Sequence, residues 1–162
     1  MKQKSGKQIE ILLVEDSPAD VLLTREAFQE FKLINTLYVA EDGIEALAFL
    51  NQEGKYASSP HPDLILLDWN LPRKNGREVL AEIKANPRFK SIPVVVLTTS
   101  HAEQDILQAY NLQANCYIVK PVRFDNFVEA MKTIHEFWFS AVTLPTEVTH
   151  EQDPNSGSTD RR

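Results

Sequence analysis

A doubly wound α/β fold, built on a five-stranded parallel sheet in the order 2-1-3-4-5, follows from three features of this 162-residue chain. Its short apolar runs are continuous, as strands covered on both faces require. They alternate with segments of helical spacing, as right-handed crossover units do. Each run ends in polar, chemically capable residues, and open sheets of this kind place their ligands outside the carboxyl ends of the strands.

The first run, Ile9-Glu10-Ile11-Leu12-Leu13-Val14, ends in Glu15-Asp16. Ser17 offers an N-cap and Pro18 suits the first helical position, while Val21, Leu22, Phe28 and Phe31 continue at helical spacing, so a helix fits 18–31. Residues 36–40 read as the second strand, and Asp42-Gly43 opens a short helix through Ala46, Leu47, Phe49 and Leu50. The polar, proline-containing stretch 51–62 reads as an inserted surface loop. Asp63-Leu64-Ile65-Leu66-Leu67 is the third strand, with Asp68 at its tip and a turn-like stretch from Trp69 to Gly76 after it. The third helix fits 76–85 and stops before Asn86-Pro87, because the residue ahead of a proline disfavours the helical region. Ile92 to Leu97 is the fourth strand, ending in Thr98-Thr99-Ser100. A helix at about 101–111, a fifth strand at 115–119 ending in Lys120-Pro121, and a helix at about 123–139 complete the pattern. The polar stretch 143–162 lacks apolar periodicity and is expected to be a disordered tail, and residues 1–8 form an N-terminal tail.

The length suits one domain with a sizeable core. A formal net charge of −6 leaves no dominant basic face, which argues against a nucleic-acid partner. No stretch is long and apolar enough to cross a bilayer, so no membrane association and a cytoplasmic location are expected. Cys116, the lone cysteine, reads as a small buried apolar residue. His61, His101, His135 and His150 are scattered without metal spacing and read as surface residues.

A parallel sheet brings the polar strand ends together: acids from the first, Asp68 from the third, a hydroxyl from the fourth and a lysine from the fifth. That is a set suited to phosphoryl transfer. Glu15-Asp16, Asp68, Thr98, Tyr117 and Lys120-Pro121, in this order and at these strand ends, resemble the receiver domain of bacterial two-component response regulators over roughly residues 9 to 140. The stretches 68–80, 97–100 and 114–122 are most similar to the single-domain regulators that partner cyanobacterial phytochromes. The resemblance implies a flavodoxin-like receiver fold over 9–142 with no output domain. It further implies a single-domain regulator that accepts a phosphoryl group from a histidine kinase, of the phytochrome type or of another, and catalyses only its own phosphorylation and dephosphorylation.

Asp68 is then the phosphoacceptor. An aspartate that attacks an anionic phosphoryl group needs a metal to neutralise the encounter, and Mg2+ suits a site of few carboxylates. The expected ligands are Asp16, Asp68, the backbone carbonyl of Asn70 and, mainly through water, Glu15. Lys120 would pair with Asp68 at rest and with the phosphoryl oxygen afterwards, Thr98 would donate its hydroxyl, and Tyr117 would change rotamer with Thr98 as the switch. The resemblance also implies a cis Lys120–Pro121 bond. Thr99 departs from the family pattern of a smaller residue, which would narrow access to Asp68.

A homodimer through the fourth helix, fifth strand and fifth helix is also expected. Phe124, Phe127, Val128, Met131, Ile134 and Trp138 form the core-facing stripe of the last helix, leaving Phe137 and Phe139 off it with Tyr110 nearby. Three other readings fare worse. An aspartate-nucleophile phosphatase needs a second acid two residues after the nucleophile, where Asn70 stands. A flavin module needs a small-residue phosphate loop where Glu15-Asp16-Ser17-Pro18 would repel phosphate. A degenerate docking module would not keep every site position filled.

Overall fold

The computed structural model describes residues 8–30, 35–99 and 113–123, with Ala102, Asp125, Asn126 and Glu129. Within these, β1 (Ile9–Val14), β2 (Asn35–Ala40), β3 (Leu64–Asp68), β4 (Val94–Thr98) and β5 (Cys116–Val119) alternate with α1 (Pro18–Glu30), α2 (Gly43–Leu50) and α3 (Gly76–Ala85). Every pairing is parallel and the order is β2-β1-β3-β4-β5, as expected. Nearly all of 101–111 and 123–139 lies outside the described residues, as do the C-terminal tail and Tyr110, Phe137 and Phe139.

Strand alternation explains why the apolar runs are unbroken. Leu12, Val14, Ile65, Leu67, Val94 and Val96 point to one face, where Phe49 and Leu50 of α2 and Val79, Leu80 and Ile83 of α3 cover them. Ile11, Leu13, Leu64, Leu66, Val95 and Leu97 point to the other, beneath Ala27 and Phe28 of α1. Each helix begins at a residue chosen for it. The Asp42 side chain caps α2 by accepting the Glu45 N–H at 2.8 Å, and Asn75 and Glu78 close a reciprocal capping box on α3. Asn86, extended at ψ 117° ahead of Pro87, ends α3.

Three local expectations change. Leu22 does not belong to the buried stripe of α1: it is 57% exposed, while Thr24, Ala27 and Phe28 face the sheet. The 51–62 segment is more than a surface loop. It contains a single 3-10 turn, Gly54–Tyr56, whose Tyr56 ring packs edge-on to Phe49 at 5.5 Å and closes the end of that core. Cys116 is half-buried where full burial was expected, and burial pushes its thiol up to about 11, which favours the protonated thiol at neutral pH.

The register sets the site. Val14, Leu67, Val96 and Tyr117 lie side by side across four strands. The chain therefore leaves the sheet at Glu15, Asp68, Thr98 and Lys120 on one edge.

Candidate functional site

Asp68 ends β3 with its carboxylate 1% exposed, held by the Asn70 N–H on Oδ1 at 3.2 Å and by Lys120 Nζ near Oδ2 at 3.2 Å. Glu15 and Asp16, the two residues after β1, stand beside it. Ligand atoms of Glu15, Asp16 and Asp68 all lie within 4.8 Å of one another, with Asp16 open to solvent and the other two buried. Crowding like charges in a buried place disfavours their ionisation. Burial, reinforced by the charge of Asp68 and opposed by Lys120, pushes Glu15 up to about 7. Burial also raises Asp68, against the pull of Lys120 and the Asn70 N–H. A divalent cation supplies the charge this cluster lacks, so Glu15, Asp16 and Asp68 fit a metal that prefers hard oxygen ligands.

Lys120 follows β5, its N–H bonded to the Thr98 carbonyl at 2.8 Å, and the Lys120–Pro121 peptide is cis, as the resemblance implied. Its ammonium reaches further than expected. Besides Asp68, it lies 2.7 Å from Glu15 Oε2 and 3.0 Å from Asp20 Oδ2. Burial alone would lower the lysine, but hydrogen bonds to Glu15 and Asp20 and the charge of Asp68 outweigh it and hold the ammonium protonated. Asp20 was not singled out from sequence; an acid in a helix's first turn ordinarily serves the helix dipole, and only its place over the strand ends could have marked it. Glu15, expected to serve a metal mainly through water, is 1% exposed and paired with Lys120.

Thr98 is fully buried at the end of β4, and Tyr117 in β5 is 39% exposed. Thr99, the departure from pattern, is exposed on the rim, where its Oγ1 lies 3.4 Å from Asn70 Nδ2.

The loop from β3 to α3 is tied at both ends. The Trp69 N–H donates to the Leu97 carbonyl at 2.8 Å and the Gly76 N–H to the Trp69 carbonyl at 3.1 Å. A side chain at Gly76 would put its Cβ 2.3 Å from the Asp68 carbonyl oxygen, so only glycine allows α3 to start there. Arg73, at φ 64°, pairs with Asp42 Oδ2 at 3.0 Å across the loop. Burial would raise Asp42, but the Glu45 N–H and Arg73 outweigh it and keep its carboxylate below the usual range. A cleft of about 500 Å³ opens beside the acids, lined by Asp16, Trp69, Asn70, Leu71, Pro72, Asn75 and Arg77.

The chain is similar to known proteins in sequence and fold. The chain is 50% identical over 145 residues to response regulator Rcp1 of Synechocystis sp., spanning 90% of this chain and 99% of that protein. The crystal structure of the phosphorylated cyanobacterial phytochrome response regulator RcpA superposes with a TM-score of 0.70 at 51% identity, covering 85% of this chain and 99% of that one. The Mn2+-bound form of Rcp1 gives 0.69 at 51% identity, with the same coverage. Residues 11–132 match the response regulator receiver domain, and the chain belongs to that family.

Proposed function

We propose that this protein is a Mg2+-dependent phosphoacceptor that receives its phosphoryl group on Asp68 from a histidine kinase of the phytochrome type, and signals by protein contact without acting on a separate substrate. The observation that carries it is the buried Asp68 carboxylate at a strand end, with Glu15 and Asp16 on one side and Lys120 at 3.2 Å. The choice of kinase rests on the similarity to Rcp1 and RcpA, named as phytochrome regulators in the latter case. A location in the cytoplasm, where such kinases present their phosphohistidine, belongs to the same reading.

In the transfer, an Asp68 carboxylate oxygen forms the new O–P bond as the P–N bond to the kinase imidazole breaks, and the imidazole nitrogen leaves with the electron pair. Glu15, Asp16, Asp68 and the Asn70 carbonyl would hold Mg2+, which neutralises charge on the transferring phosphoryl oxygens. Lys120 supplies a second, fixed positive charge beside the nucleophile. Thr98, buried next to Asp68 in the adjacent strand, donates its hydroxyl to the phosphoryl group, and Tyr117 on β5 carries the change outward. A homodimer through the fourth helix, β5 and the fifth helix is part of this reading, on the sequence argument alone.

The test is transfer from a labelled phytochrome-type kinase. The chain should take label only with Mg2+, and Asp68→Asn should take none. Undiminished labelling of the Asn variant would mean another nucleophile; labelling by kinases of other sensor classes alone would leave the phosphoacceptor and remove the phytochrome partner.

A further inference from the structure

Lys120 has more acidic partners than a metal-loaded site would leave it. Its ammonium carries three N–H donors, and three carboxylates lie within reach: Glu15 at 2.7 Å, Asp20 at 3.0 Å and Asp68 at 3.2 Å. Two of the three, Glu15 and Asp68, also belong to the cluster of ligand atoms gathered with Asp16. Metal and ammonium therefore draw on the negative charge of the same two carboxylates, and each weakens the other's hold. The lysine side chain is only 11% exposed, so an ammonium that yielded both partners would be a poorly solvated, unpaired cation beside a second cation. Such a lysine would resist the metal.

We propose that Asp20 is a positioning residue that keeps Lys120 paired within the site while a divalent metal draws on Glu15 and Asp68, and that it thereby raises the site's metal affinity; this rests on the metal-site reading above. Asp20 is the lysine's partner outside the metal cluster. It is also held from elsewhere. The Asp20 N–H donates to Ser17 Oγ at 3.3 Å and its carbonyl accepts from Thr24 Oγ1 at 2.8 Å, which fixes the residue in the first turn of α1. Neither bond uses its carboxylate. The side chain is left to Lys120, a hundred residues away in sequence.

The experiment is Mn2+ binding, read from the electron paramagnetic resonance signal of the free ion, on the full chain and on Asp20→Asn, Lys120→Met and the double variant. Asp20→Asn should weaken Mn2+ binding roughly fivefold to tenfold, within the range for directly coupled groups. With Lys120→Met already in place, the Asp20 substitution should change affinity less than twofold. Equal weakening in both backgrounds overturns the proposal, since Asp20 would then act as one more negative charge near the metal, or through damage to α1. An unchanged affinity in Asp20→Asn alone overturns it too. If the parent chain and every variant fail to bind Mn2+, the metal-site reading itself falls, and the proposal with it.

Discussion

Metal binding should expel a proton from this protein, and the amount should depend on pH in a way set by Glu15. The carboxylate is 1% exposed and burial lifts it from an ordinary 4.5 to about 7. Between these two values the folded chain holds a proton that the unfolded chain has lost. Stability without metal should therefore fall as pH rises through this window, because the folded state binds more protons there. A divalent cation selects the ionised cluster and reverses the preference. At pH 6, one unit below the raised value, Glu15 is protonated in roughly nine molecules of ten, so close to 0.9 proton should leave per metal bound. At pH 8 the figure should drop to roughly 0.1. Titration calorimetry with Mg2+ in two buffers of different ionisation enthalpy measures the number directly, and Glu15→Gln should abolish most of the pH 6 release. Equal proton release at pH 6 and pH 8, or none at either, would refute the account of a strained acid pair relieved by metal.

Two substitutions probe the frame around the site. Gly76→Ala would drive a Cβ to 2.3 Å from the Asp68 carbonyl oxygen and 2.8 Å from the Trp69 Cα, both backbone, so the loop must shift; a cost of about 1 to 3 kcal/mol in urea unfolding and weaker Mg2+ binding are expected, and unchanged values for both would contradict the close approach. Leu66→Ala, at a fully covered position of the central strand, should cost about 2 to 5 kcal/mol in chemical unfolding, and a loss below 1 kcal/mol would mean that the α1 face of the sheet is loosely packed.

The fold was legible because its signals are redundant. Ile9–Val14 and Gly76–Ala85 have the bounds expected of them, the first from an unbroken apolar run, the second because Asn86-Pro87 stops a helix whatever surrounds it. β3 and β4 run on to Asp68 and Thr98, beyond the apolar residues, because ladder hydrogen bonds continue where hydrophobicity has ended. The strand-end residues were legible from parallel topology alone. What escaped was decided in three dimensions. Asp20 looks like any acid near a helix start, and its meaning comes from a lysine a hundred residues on. Leu22 and Phe28 both suit an apolar stripe, and only the sheet's position selects between its two edges. Tyr56 lay hidden in a polar stretch whose composition gave no sign that one ring would seal the core.

The loop between Asp68 and α3 closes on itself, with its neck at the Trp69 carbonyl and the Gly76 N–H and its span braced by Arg73 against Asp42. Such a closed ring separates two kinds of position. Inside the neck, Gly76 meets backbone so closely that a side chain would force the loop to shift, and Asp68 is fixed at the strand end beside it. On the outer arc, Asn70 and Pro72 are exposed, while Asn75 beyond them caps α3. Substitutions on that outer arc would change the surface offered beside the acids while leaving the neck and the strand end in place.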